Sequence, residues 1–247
     1  MFKFFVPENQ IKENNAKIIG EDVKHISNVL RLKKDEQIII CNKDNGKSYI
    51  CRINELNKEY VICKIDAEIK NTTESNVNVD IYQGIPKSDK MEYIIQKATE
   101  IGVRSVIPVE LARCIAKIDE KSEKKKIDRW QKIAEVAAKQ SKRDRIPQIE
   151  NVINIKKICK IIPKYDIILV AYENEQNITL KDELKKLDRN KKLEIGIVIG
   201  PEGGLSENEV EELLKNGAKC VTLGKRILRT ETAALVILSD IMYEFEM

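Results

Sequence analysis

Apolar positions recur along this chain with two different periods, and the change comes near residue 77. Before it, short runs dominate. Ile38-Ile39-Ile40-Cys41 and Tyr49-Ile50-Cys51-Arg52-Ile53 read as strands, with Asp44-Asn45-Gly46 between them as a hairpin turn. Tyr60 to Ile65 is a third strand, and Val23, Ile26, Val29 and Leu30 share one face of a short helix. Strands at this spacing predict a small β-rich unit of barrel type. Asn71-Thr72-Thr73-Glu74-Ser75-Asn76 is polar and poor in strand formers, so the linker is expected there. It divides the chain into 1–72 and 73–247.

From Val77 onward strands and helices alternate, the pattern of an α/β domain built on a parallel sheet. Val77, Val79 and Ile81 open a strand. Met91, Ile94, Ile95 and Ala98 then fall on one helix face, which Gly102 ends. Val103 to Val109 is a strand. A long helix follows over about Glu123 to Ser141, with Ile127, Trp130, Ala134 and Ala137 toward the core. Ile167 to Ala171 is another strand, and Thr179 caps a charged helix.

The most informative stretch runs from Ile195 to Thr232. An apolar strand, Ile195 to Ile199, runs into Gly200-Pro201-Glu202-Gly203-Gly204, a turn cluster that lets backbone approach a ligand. Ser206 and Glu209 have capping-box spacing, and Gly217 can stop the helix they start. Cys220 to Leu223 reads as a second short strand, followed by Gly224-Lys225-Arg226. A last apolar helix covers about Ala233 to Phe245. Two parallel strands thus end in two glycine-bearing loops, one crossover apart, where an open α/β sheet places its ligands. The spacing is neither Gly-x-Gly-x-x-Gly nor a Walker A loop, and Glu202 would repel a phosphate. A ligand with an adenine edge, hydroxyls and a positive centre fits better. On glycine spacing alone, two tight turns without any ligand are an equal reading.

Composition narrows the class further. In 247 residues, 34% are charged and 42% hydrophobic, which suits a soluble globular protein. No apolar run approaches the roughly 20 residues of a membrane helix, and Met1-Phe2-Lys3-Phe4-Phe5 lacks a signal-peptide core. The expected location is the cytoplasm. Six scattered cysteines and one histidine argue against a zinc site and against disulfides. The net charge of +4 is too mild to establish nucleic-acid binding, so distribution must decide. Lys121, Lys124, Lys125, Lys126, Arg129, Lys132, Lys139, Lys142, Arg143 and Arg145 form a basic run. For Lys124 to Lys126 a solvated helix face is the expectation. Arg143 and Arg145, beside Gln140 and Ser141, suit RNA better. His25, in the small first unit, is expected to be structural or an RNA contact rather than a general base.

Gly200-Pro201-Glu202-Gly203-Gly204 together with Leu223-Gly224-Lys225-Arg226-Ile227-Leu228-Arg229-Thr230-Glu231-Thr232-Ala233 resembles the signature of the RsmE-type ribosomal RNA uridine-N3 methyltransferases, of the SPOUT (trefoil-knot) superfamily. Further matching residues are Lys87 with Met91-Glu92, Gln96 to Gly102, Arg129-Trp130, Gln140-Ser141 with Arg143, Ile146-Pro147, Phe4-Phe5-Val6, and His25 with Val29-Leu30-Arg31. The resemblance implies a PUA-like RNA-binding barrel followed by a knotted α/β methyltransferase domain, S-adenosylmethionine as cofactor, and a homodimer. It implies small-subunit (16S) ribosomal RNA, in the 30S particle, as substrate.

By the same resemblance the cofactor pocket comes from three loops, carried by Val170, Ala171 and Glu173, by Ile199, Gly200 and Gly203, and by Leu223, Gly224, Ile227, Leu228 and Thr230. Uracil N3 must lose a proton, so the anion needs a donor nearby. Arg229 is the expected donor, and Glu202 the expected acceptor or electrostatic partner of the sulfonium. A salt bridge from Arg229 to Glu231 is nearly as good a reading. Arg31, Lys87, Lys97, Gln140 and Arg143 are the expected RNA contacts, although Lys97 with Glu100 also reads as a surface ion pair. Two alternatives stay open: the same chemistry on another nucleotide, and a non-catalytic RNA-binding protein.

Overall fold

Buried apolar positions on short strands build the first of two sheets, with strict alternation of buried and exposed residues in β3. The computed structural model describes residues 1–70 and 73–246. Its strands are β1 (Lys3–Val6), β2 (Ile11–Lys12), β3 (Asn15–Ile19), β4 (Gln37–Asn42), β5 (Ser48–Leu56) and β6 (Tyr60–Ile69), with α1 (Glu21–Lys24) after β3. The order is β1-β4-β5-β6-β3-β2, antiparallel except for β1 beside β4. The expected hairpin joins β4 to β5, with Gly46 at φ 70°. Phe4, Ile18, Ile26, Ile38, Ile40, Cys51, Ile53, Val61 and Cys63 fill the core. This is the small β-rich unit expected from the strand spacing; its PUA-like character is what the family resemblance implies.

One residue of the short helix was misassigned. Val23 and Ile26 are buried, but Val29 is exposed. The chain passes from α1 into a π-helical turn, His25–Val29, in which the Leu30 N–H donates to the His25 carbonyl. The wider turn rotates Val29 away from the face that a 3.6-residue period assigns to it.

The described chain divides by contacts into Met1–Glu74 with Ala138–Ile146, and Ser75–Ala137 with Pro147–Met247. The boundary expected between residues 72 and 73 falls on Asn71 and Thr72, which lie outside the described residues. The segment Ala138–Ile146 carries an acid into the first unit. Asp144 is buried and accepts from Lys3 Nζ at 2.7 Å, Ser48 Oγ at 2.9 Å and Thr73 Oγ1 at 2.6 Å. Burial pushes its carboxyl up, but the bonds from Lys3, Thr73 and Ser48 outweigh it and hold it below the usual aspartate range. A depressed carboxylate stabilises the fold above its unfolded pKa and ceases to do so as pH falls through the folded one. Asp144→Asn should therefore flatten the acid limb of stability below about pH 4. Urea unfolding at a series of pH values checks this; an unchanged acid limb would remove Asp144 from it.

The second unit is an α/β layer structure. Its elements are β7 (Val77–Gly84), α2 (Lys90–Ile101), β8 (Ser105–Glu110), α3 (Glu120–Gln140, whose last residues belong to the first unit), β9 (Gln148–Ile149), β10 (Ile153–Asn154), α4 (Ile155–Ile161), β11 (Ile167–Ala171), α5 (Leu180–Leu184), β12 (Leu193–Ile199), α6 (Glu207–Lys215), β13 (Lys219–Val221) and α7 (Thr230–Glu246). Strand order is β10-β8-β7-β12-β11-β13, with β9 beside β8, and every pairing is parallel. Such strands are covered on both faces, so all eight residues of β7 are buried. Tyr82, Ile168, Val170 and Val198 pack with Ile155 and Ile158 of α4 and Val210 and Leu213 of α6. The other face meets α7, which packs against β7, β12 and α2.

Local chemistry sets the ends. Ser206 and Glu209 form the expected capping box, Thr179 accepts from the Asp182 N–H, and Gly102 closes α2 at φ 117°. Near the amino ends of the strands, Asp80 accepts from Arg104, from Ser105 Oγ at 2.5 Å and from Tyr165 Oη at 2.6 Å, and Arg104 also pairs with Glu194. This network lies toward the sheet edge opposite to the glycine loops.

Candidate functional site

Four strand residues form one row at the carboxyl edge of the second sheet. Gln83 of β7 is in register with Ile199 of β12, Ile199 with Ala171 of β11, and Ala171 with Val221 of β13. Because the strands are parallel, the loops leaving this row emerge on one side. β11 stands between β12 and β13, so the two glycine turns are not on neighbouring strands; the Tyr172-Glu173 segment rises between them. A cavity of about 340 Å³ is lined by Ala171, Glu173, Ile199, Gly200, Pro201, Glu202, Gly204, Ile227, Leu228, Arg229 and Thr230, with Lys90 of α2. A smaller space of about 110 Å³ shares Ala171, Glu173, Ile227 and Leu228, and adds Tyr172 and Leu223 to Arg226.

The first loop is folded back on itself. A Cβ at Gly200 would lie 2.8 Å from the Gly204 carbonyl carbon and 3.0 Å from the Leu205 nitrogen. Gly204 has φ +69°, and its missing Cβ would lie 2.5 Å from the Glu173 carboxylate, so this glycine lets the Tyr172-Glu173 segment close over the Gly200–Gly204 loop. Thr230 Oγ1, at the start of α7, donates to the Gly200 carbonyl at 2.6 Å and accepts from Gln83 Nε2 at 2.8 Å. Gln83 Nε2 also donates to the Gly84 carbonyl at 2.9 Å. One amide and one hydroxyl thus tie β7, the first glycine loop and the third loop together.

Of the four charged residues that line the cavity, Lys90 and Glu202 pair with each other, while Glu173 and Arg229 have no ion-pair partner among the described residues. Glu202 accepts from the Lys87 N–H at 3.1 Å and from Lys90 Nζ at 3.1 Å, and Lys90 Nζ also lies 3.2 Å from Glu231 Oε2. Burial pushes the Glu202 carboxyl up, but backbone N–H bonds and the Lys90 ammonium hold it below the usual glutamate range. Hydrogen bonds to Glu202 and then Glu231 raise the Lys90 ammonium above its ordinary value. Glu231 is therefore engaged by Lys90 rather than by Arg229. The Arg229 guanidinium makes no hydrogen bond or ion pair to the described residues and stands exposed at the cavity rim. Beside it Ile227 is 87% exposed, an apolar side chain without cover in the chain itself.

The chemistry of this lining fits the expected cofactor. S-adenosylmethionine asks for apolar cover over a purine, acceptors for ribose hydroxyls, and a site that does not repel a positive centre. Ile227 and Leu228 offer the first, and Glu173 the second. A phosphate would meet Glu173 and Glu202.

Several expected site residues sit elsewhere. The Val170 side chain is packed in the core rather than in the cavity, because alternation along β11 turns it inward. Gly203 faces Arg113, whose Nη1 donates to the Gly203 carbonyl at 2.9 Å. Glu202 reaches the rim, but Lys90 already neutralises it, so it has less charge to offer a sulfonium than expected. Arg143 is not on the surface. It is 5% exposed and grips Glu74 with Nε at 3.2 Å and Nη2 at 2.6 Å, which satisfies the guanidinium internally. Lys97 pairs with Glu100 at 2.8 Å, the simple surface pair. Arg31 and Gln140 are exposed on the first unit, and Lys87 is exposed beside the first glycine loop.

Gln83, Lys90 and Arg113 were not anticipated. Gln83 did carry a signal, as a polar residue at the carboxyl end of a buried strand. Lys90 directly precedes the matched Met91-Glu92, but its partners Glu202 and Glu231 are over a hundred positions away in sequence. All six cysteines are buried and unbridged. Among the described residues there is no group of three or more His, Cys, Asp or Glu able to hold a metal, and no helix long and apolar enough to cross a membrane.

Comparison with known proteins gives the family. The model of an RNA methyltransferase domain matches residues 73–242, and that of an RNA methyltransferase PUA domain matches residues 18–66. Ribosomal RNA small subunit methyltransferase E of Bacillus subtilis is 39% identical over 100% of this chain and 98% of its own length. The protein of the same name from Aquifex aeolicus is 32% identical over 94% of this chain and 96% of its own. The crystal structure of ribosomal RNA small subunit methyltransferase E from Neisseria gonorrhoeae, bound to S-adenosyl methionine, superposes with a TM-score of 0.84 at 31% identity, covering 98% of this chain and 97% of that one. Fold, loop chemistry and full-length similarity agree, and the chain belongs to the ribosomal RNA small subunit methyltransferase E family of RNA methyltransferases.

Proposed function

We propose that this protein transfers a methyl group from S-adenosylmethionine to N3 of a uridine in 16S ribosomal RNA. The observation that carries the reading is the unpaired Arg229 guanidinium at the rim of a cavity formed where three carboxyl-end loops converge. The relatives are named small-subunit ribosomal RNA methyltransferases, and the neisserial one holds S-adenosyl methionine, which supports the cofactor and the substrate.

When bound, the cofactor supplies an electrophilic methyl group. The residues of the chain do the rest. Ile227 and Leu228 would cover the purine, and Glu173 would accept from ribose hydroxyls. Gln83 and Thr230 hold the first glycine loop against the third. Arg229 donates to a uracil carbonyl oxygen and lowers the cost of losing the N3 proton to water. Uracil is weakly acidic, so stabilising its anion takes the place of a strong base. Lys90 fixes Glu202 and with it the outer edge of the first loop.

The same reading takes residues 1–72 as an RNA-binding domain and 73–247 as the catalytic one, with the trefoil-knot threading of this superfamily. It places the protein in the cytoplasm as a homodimer acting on the 30S particle. Tyr93 on α2 and Tyr243 on α7, both exposed on helices that pack together, support a subunit interface there.

Titration calorimetry with S-adenosylmethionine tests the cofactor, and a protein without it should give no heat. Mass spectrometry of 16S RNA from a deletion strain tests the target. Loss of one N3-methyluridine, restored by the gene, is the expected result. Loss of a different modification would leave the methyltransferase and overturn the uridine.

A further inference from the structure

A hollow of about 750 Å³ on the second unit lies along α3 and reaches α2 at Gln96. We propose that this groove binds a single strand of RNA continuous with the nucleotide presented at the cofactor cavity; this rests on the methyltransferase reading above. Its rim carries Lys121, Lys124, Lys125, Arg129 and Lys132 against the single carboxylate of Asp128. Arg129 is paired with Glu92 at 2.8 Å, whereas none of the four lysines has an ion-pair partner among the described residues. Glu123, adjacent to Lys124, accepts from the Val152 N–H at 2.8 Å. Unpaired ammonium groups at i, i+3, i+4 and beyond line one side of a helix. Like charges so placed repel, and a bound polyanion relieves that repulsion.

The floor is apolar. Ile133 and Val136 line it beyond the cations, and Val136 is 65% exposed. A solvated lysine face has no need of such a floor. Nucleotides present alternating phosphate and flat apolar base surface, which a groove with a basic rim and an aliphatic bed matches. Position argues the same way. Gln96 lines the groove and Lys90 lines the cofactor cavity, both on α2. They are six positions apart in the sequence, about 9 Å along the helix axis. Groove and cavity open at different levels and on different sides of α2, so a strand held in the groove bends round the helix to reach the cavity rim where Arg229 stands. A second copy seated on the lysine row of α3 itself would set like charges against each other at a two-fold contact, which charge disfavours.

The test is Lys124→Glu combined with Lys125→Glu in the full chain, using a fluorescein-labelled oligouridylate as probe. Binding is followed by anisotropy across a series of salt concentrations, and S-adenosylmethionine affinity by calorimetry. The variant should bind the probe at least about tenfold more weakly, and the slope of log K against log salt should become shallower by roughly 1.4, about 0.7 for each lost phosphate contact. Cofactor affinity and melting temperature should stay at the wild-type values. The paired Lys→Ala variant gives the same reading should the charge reversal fold poorly. Unchanged probe affinity and slope, with the wild type binding both ligands, would overturn the groove and leave the methyltransferase. A change of mass in sedimentation would assign the face to a second copy and equally overturn it. A wild-type chain that took up no S-adenosylmethionine would instead sink the reading on which the groove rests.

Discussion

Arg229→Ala should lower the methylation rate by about 10²- to 10³-fold, the typical loss on removing one donor aimed at developing negative charge. Cofactor affinity should change little, because Arg229 makes no contact that holds the loops together. The loops are held by Gln83, Thr230 and Lys90 instead. Arg229→Lys should recover only part of the rate, since an ammonium keeps the charge but loses the planar fork. Raising the pH should help the Ala variant more than the wild type, because hydroxide removes the N3 proton that the variant no longer makes acidic. Single-turnover kinetics alongside cofactor titration separate the two contributions. A variant with weak cofactor binding and an intact chemical step would make Arg229 a cofactor contact.

Most of what positions Arg229 was legible in the sequence, and the reasons are local. The Gly200–Gly204 turn, the Ser206–Glu209 box and the short strand before Gly224 are each fixed by neighbours within a few residues. What was not legible is long-range. That β11 separates β12 from β13 is a fact of pairing across fifty residues, which periodicity does not carry. Lys90 became a site residue only through Glu202 and Glu231, and Arg143 left the surface only through Glu74. Charge in a sequence says nothing about its partner. The basic run illustrates this, since Arg143, expected to meet RNA, is buried in an ion pair, while Lys124 and Lys125, expected to be idle, edge a groove. Val29 failed for a different reason. A π-helical turn breaks the helical period within one turn, and no residue type announces it.

Gly200→Ala should weaken S-adenosylmethionine binding about 10- to 100-fold. The added methyl would lie 2.8 Å from the Gly204 carbonyl carbon and 3.0 Å from both the Gly204 Cα and the Leu205 nitrogen, all of them backbone atoms. A side chain could swing aside; this backbone is pinned by the capped start of α6 just beyond it. Overpacking of this kind costs about 1–3 kcal/mol. The loop can relieve it only by opening, and opening breaks the Thr230 bond to the Gly200 carbonyl, which holds the first loop against the third. Thr230→Val removes the same bond without a clash, so it should weaken binding less, by about tenfold. Gly203→Ala is the contrasting case. Its methyl would meet the Arg113 side chain at 3.1 Å, outside the cavity lining, and affinity should stay close to wild type. Calorimetric titration of the three variants, with thermal melts to confirm folding, orders them. Equal affinities for all three would mean that the first glycine loop does not shape the cofactor site, and the argument from loop geometry to methyl transfer would lose its first step.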